Sequence, residues 1–199
     1  MEFFAWLENS AFSMWVKDVD TLLGYDLYLV SHAIGMAALV GLSSAVALRV
    51  LGFAARVPLA PMERFFPLMV AGFWLNALSG LVLFVVYPLN PVRNPTFYVK
   101  IGLIVAAVVC LRRLRRVVFG NPAYGGTGPL PLNARVLAGT LLLIWIGVIT
   151  AGRLMAYHGT ADVERQVSLA MALIMVAMLL AGYAAARLRG RDTTAQVDA

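Results

Sequence analysis

Residues 65–92 read FFPLMVAGFWLNALSGLVLFVVYPLNPV, 28 residues without a charged side chain. A helix rises about 1.5 Å per residue, so roughly 20 apolar residues cross the hydrocarbon core of a bilayer. This run is long enough to do so. Outward from it lie further uncharged runs at Leu27–Leu48, Ile101–Leu111, Val136–Gly152 and Gln166–Ala186. Over all 199 residues, 61% of side chains are hydrophobic and 13% charged. Globular chains run near 45–50% and 25%. The expectation is an all-α, polytopic membrane helix bundle forming one integral membrane domain over residues 1–199. Its lipid bilayer environment and blocked apolar pattern exclude a soluble basic domain bound to nucleic acid, despite a net charge of +6. Cys110 is the only cysteine, which excludes an intrachain disulfide scaffold.

About five spans are expected, near residues 25–48, 66–87, 97–114, 135–157 and 167–188. Lys100 interrupts the third near one end. Pro88, Pro91 and Pro95, with Asn90 and Asn94, punctuate the link before it. The segment from Gly120 to Asn133 is rich in Gly, Pro and Asn and reads as a loop. Residues 1–20 lack a basic start and a cleavage motif, so they do not read as a signal peptide. Phe4, Leu7, Ala11, Met14 and Trp15 fall at helical spacing there, which predicts an amphipathic helix lying on a membrane surface.

Orientation follows from the basic residues in alternate loops. One side carries Arg49, Arg56, Arg64, Arg112, Arg113, Arg115, Arg116, Arg135, Arg187, Arg189 and Arg191. The other carries only Lys17, Arg93 and Arg165, together with most of the acids. The expected arrangement has the N-terminus outside and the C-terminus cytoplasmic. With no organelle-targeting sequence, a bacterial inner membrane is the expected setting. Eleven arginines on one side then act as topology determinants near anionic headgroups.

Ionisable groups inside spans cost about 2.5–3.5 kcal/mol at a helix centre, which makes each a functional candidate. They gather toward the outer side. His32 lies seven residues into the first span, ~10 Å deep on the helical rise. Asp26 precedes it, Lys100 and Arg153 lie about one turn inside their spans, and His158 marks the end of the fourth. Gly72, Asn76 and Gly80 are spaced by four along the second span, a face that admits close approach of another helix or of a flat cofactor. Ser31, Gly35, Ala38, Leu42 and Ala45 form a mostly small stripe beside His32.

The candidate cofactor-binding set is therefore His32, His158, Lys100, Arg153, Asn76 and Gly80. His32 and His158 are the candidate ligands of a haem b iron. Arg153, Lys100 or Arg93 would meet its propionates, and a quinone is the other candidate occupant. Met171, Met175 and Met178 form a thioether stripe in the fifth span, a packing surface or a site for copper. Cys110 reads as a small buried apolar residue. There is no paired carboxylate, Ser/His/Asp arrangement, phosphate loop or clustered metal spacing, so hydrolytic and nucleotide-dependent enzymes are not expected.

The segments SHAIGMAALVG around His32, AGFWLNALSGLVLF, NPTFYVKIGLIVAA with Lys100 and VITAGRLMAY with Arg153 resemble a family of uncharacterised bacterial inner-membrane proteins, a domain of unknown function. More distantly they resemble copper-resistance protein D and cytochrome b561-type membrane proteins, whose bundles carry His-bound haem or are linked to copper handling. The distant resemblance implies His32 as a ligand. A di-haem pattern needs four histidines and this chain has two, so at most one bis-His haem is implied. Three functions are carried forward. The first is a redox subunit holding one haem b or a quinone for electron transfer. The second is a non-catalytic accessory subunit of a larger membrane complex, with a membrane-protein partner or homo-oligomer. The third is copper or small-solute handling.

Overall fold

The computed structural model describes residues 2–19, 24–128 and 130–155. Every regular element among them is helical: α1 (Glu2–Glu8), α2 (Ala11–Asp18), α3 (Tyr25–Val50), α4 (Phe65–Val86), α5 (Leu89–Arg93), α6 (Pro95–Phe119) and α7 (Leu132–Leu154), with 3₁₀ turns at Ala60–Arg64 and Pro122–Tyr124. Three segments are long and apolar enough to cross a bilayer: Tyr25–Val50, Ala60–Val86 and Leu132–Leu154, with mean hydropathies of 1.8, 2.1 and 1.9. This is a membrane protein. The expected third span lies within α6, and the fifth lies outside the described residues together with Met171, Met175, Met178 and His158.

The described residues fall into two compact units. Unit one holds residues 2–19, 24–43 and 64–98; unit two holds 44–63, 99–128 and 130–155. In unit one, α4 tolerates Pro67 because the first helical turn has no intrahelical acceptor for that N–H. It ends where Tyr87 leaves helical geometry (φ −135°, ψ 64°) and Pro88 follows. α6 starts at a cap formed by the buried Asn94, whose Oδ1 accepts from the Thr96 N–H at 2.9 Å, with Pro95 in the first helical position. The outward face of α4 presents Leu68, Val70, Trp74, Leu78 and Leu81, each more than half exposed. Such a face is costly in water and comfortable against lipid.

The N-terminal segment differs from the single helix expected. It breaks at Asn9 and Ser10 because both side chains bond to backbone. Asn9 Nδ2 donates to the Ala5 carbonyl at 2.8 Å, and Ser10 Oγ accepts from the Ser13 N–H at 3.3 Å, capping α2. The second of the two helices packs on one face. Val16 and Ser13 are buried, whereas Met14 and Trp15 are exposed. Ser13 donates to the Val86 carbonyl at 3.3 Å, Phe4 meets Phe84 edge to face, and Lys17 lies 4.8 Å from the Tyr87 ring centroid. Both short helices are thereby pinned to the end of α4.

In unit two, α6 buries Ala107, Cys110, Leu111, Leu114 and Val118, and α7 buries Ala134, Ala138, Leu141, Trp145 and Val148. Both sets follow helical spacing, and the Cys110 thiol donates to the Leu137 carbonyl at 3.3 Å. α3 stops at Gly52, whose φ of 100° is open to glycine at little cost. The segment Gly120–Asn133, expected as a loop, contains one 3₁₀ turn at Pro122–Tyr124 and is otherwise irregular among its described residues up to Pro131, while its last two residues already form the start of α7.

Candidate functional site

The polar centre of unit one is built on glycines. α3 and α4 run antiparallel, and their backbones meet at Gly35 and Gly72. A Cβ added at Gly35 would lie 2.5 Å from the Asn76 nitrogen and 2.7 Å from the Gly72 carbonyl oxygen. One added at Gly72 would lie 2.9 Å from the Gly35 oxygen and from the Ala38 Cβ. No other residue type fits at Gly35 without moving backbone. This closeness lets two short side chains reach across. Asn76 Nδ2 donates to the His32 carbonyl at 2.7 Å, and His32 Nδ1 stands 2.9 Å from the Asn76 carbonyl oxygen.

That second contact places one ring proton. A carbonyl oxygen only accepts, so Nδ1 carries a proton, and in the neutral ring the lone pair is then on Nε2. The Ser79 hydroxyl stands 3.4 Å from the same Nδ1 and 3.2 Å from the Asn76 carbonyl. Gly80 leaves room for the ring, since a Cβ there would lie 2.9 Å from His32 Cε1. Metal-bound histidines commonly donate their other N–H to a backbone carbonyl, which fixes ring and tautomer. The donor chemistry of His32 therefore fits an axial ligand of haem iron. It also fits a quinol hydroxyl, which donates. A quinone carbonyl accepts, and would be met by the ring with a second proton on Nε2.

His32, Asn76 and Gly80 thus meet in one place, together with Ser79, which the sequence reading missed. The signal was available: Ser79 follows Asn76 by three residues, on the same helical face. Lys100 and Arg153 belong to unit two. Lys100 lies across α7, its Nζ 3.8 Å from where a Cβ on Gly152 would stand, and Arg153 is exposed. His158 lies outside the described residues. Among the described residues, no group of three or more His, Cys, Asp or Glu side chains could hold a metal ion.

A second polar centre lies in unit two, at an arginine that loop counting treats only as a topology signal. Arg49 is 4% exposed. Its Nε donates to the Val57 carbonyl and its Nη2 to the Gly126 carbonyl at 3.3 Å. Next to it, the Ala60 N–H donates to the Gly125 carbonyl at 2.9 Å. The loop after α3 and the loop after α6 are thereby tied together. No protein-family model, curated protein or solved structure matches this chain.

Proposed function

We propose that the protein is a multi-pass bacterial inner-membrane subunit of a redox system, in which His32 offers Nε2 to one haem b or to a quinol. The observation that carries this reading is the donation from Nδ1 to the Asn76 carbonyl. It orients the ring and, in its neutral form, leaves the lone pair on Nε2. Either group supplies reversible electron transfer when bound. The chain supplies the rest: Asn76 braces α3 against α4, and Gly80 gives the ring its space. The basic ends are read as cytoplasmic and the N-terminus as outside, and the tie between the two arginine-bearing loops is in keeping with their sharing one side.

The test is a visible absorption spectrum of the purified protein, oxidised and reduced, with solvent extraction for quinones. A Soret band lost in His32→Ala but kept in Asn76→Ala is the haem outcome, because the Nδ1 acceptor is backbone and survives the second change. No Soret band and no extractable quinone overturns the proposal.

One observation favours a second reading, a non-catalytic accessory subunit. The Gly35–Gly72 crossing uses the same residues for helix packing alone. On that reading the protein co-purifies with a membrane partner, and His32→Ala assembles with it normally.

A further inference from the structure

The last turns of α6 and the first turns of α7 flank an open groove of about 730 Å³. Its walls are largely aliphatic, from Val117, Leu132, Val136 and Leu137, and Arg113 and Arg116 stand along it. From Arg112 to Arg135 the chain has five arginines and no acid. Glu63 is the one acid between Arg49 and Arg64, and it is already engaged by Arg115 at 3.2 Å. Arg113 and Arg116 are exposed and make no ion pair among the described residues. On the first turn of α7, the Arg135 Nε is buried with no acceptor among the described residues. The site therefore has a surplus of fixed positive charge beside a hydrocarbon surface.

Position narrows the ligand. α7 is one of the apolar helices long enough to cross a bilayer. Its first turn therefore falls where acyl chains give way to phosphates. A free phosphate would use the arginines and leave the aliphatic walls bare. A neutral lipid would do the reverse.

We propose that this groove binds an anionic phospholipid. Its phosphodiester sits between Arg113 and Arg116, and one acyl chain runs along Val117, Leu132, Val136 and Leu137. Arginine suits the task because its planar fork meets two phosphate oxygens at once. The proposal is independent of any role for His32.

Native mass spectrometry of the full chain in mild detergent, with dioleoylphosphatidylglycerol or dioleoylphosphatidylcholine added, tests it. At roughly fivefold per arginine, the R113Q/R116Q variant binds phosphatidylglycerol about 25-fold more weakly than the parent. The R56Q/R64Q variant removes the same charge from exposed positions outside the groove and binds as the parent does. Val136→Trp, at a half-exposed position, fills the groove and weakens binding with all charges intact. Should R113Q/R116Q fail to fold, Val136→Trp decides alone. The proposal is overturned if R113Q/R116Q or Val136→Trp retains parental binding, or if R56Q/R64Q loses as much. Displacement by glycerophosphoglycerol, the headgroup without chains, or equal binding of phosphatidylcholine, also overturns it.

Discussion

Two polar clasps hold this protein, and they are built on opposite principles. In unit one, His32 and Asn76 reach only a few ångströms, so the helices that bear them must touch. Gly35 and Gly72 allow that contact. In unit two, Arg49 has a long, forked side chain, and it ties together loops whose own backbones need no special closeness at that point. Both clasps end on backbone carbonyls. Within an apolar helix pair, a polar side chain is only as useful as the steric permission granted by residues a turn away. At the end of a bundle, a buried guanidinium makes its own permission.

The largest effect should come from removing that permission. Gly35→Ala places a methyl carbon against the backbone of α4 and is expected to destabilise unit one by about 3 kcal/mol. Gly41→Ala, six residues along α3, meets nothing within 4 Å and is expected to stabilise by about 0.5 kcal/mol through helix propensity. Unfolding of detergent-solubilised protein by sodium dodecyl sulfate measures both. If the two substitutions behave alike, the crossing is not what holds α3 to α4.

Arg49 comes next. Replacement by Met leaves two loop carbonyls without their donor and is expected to cost about 2 kcal/mol. Arg49→Lys keeps the charge and loses the fork, and is expected to recover less than half of that. Limited proteolysis within residues 51–59 and 120–128 reports whether the loops have separated. Full recovery by Lys would make Arg49 a topology charge and nothing more.

That test bears on what could be read from the chain beforehand. The apolar runs placed α3, α4 and α7 within about three residues at either end, because hydrocarbon burial leaves a long and redundant pattern. The Gly72/Asn76/Gly80 face and the stripe with Gly35 and Ala38 were visible as small-residue spacings. Their pairing with each other was not, since nothing local says which faces meet. Ser79 was missed as a polar neighbour of His32, though it shares the Asn76 face. Arg49 was assigned by its position in a loop, and charge counting is blind to burial. The N-terminal break failed for another reason. Spacing of apolar residues carries no record of Asn9 and Ser10 bonding to backbone.

The His32–Asn76 pair should give a smaller effect than either clasp's supports. Interhelical hydrogen bonds in membrane proteins average near 0.6 kcal/mol and reach about 1.7, so Asn76→Ala and His32→Ala are each expected to cost about 1 kcal/mol. Each side chain bonds to the other residue's backbone, not to its side chain. Either bond can therefore persist when the opposite side chain is truncated, and the double variant should sum the two losses. A coupling energy above about 0.5 kcal/mol would show that each bond depends on the other to keep the crossing closed.

The smallest effect belongs to Glu63→Gln. Its bond to Arg115 is 3.2 Å long, but the two side chains are 47% and 53% exposed. Water screens such a pair, and ordering two long side chains offsets much of the attraction. The same unfolding titration should therefore move by less than about 0.5 kcal/mol, although this ion pair and the Arg49 clasp lie in the same unit. A loss comparable to Arg49→Met would mean that charge pairing, and not the guanidinium's hold on loop carbonyls, keeps the two loops together.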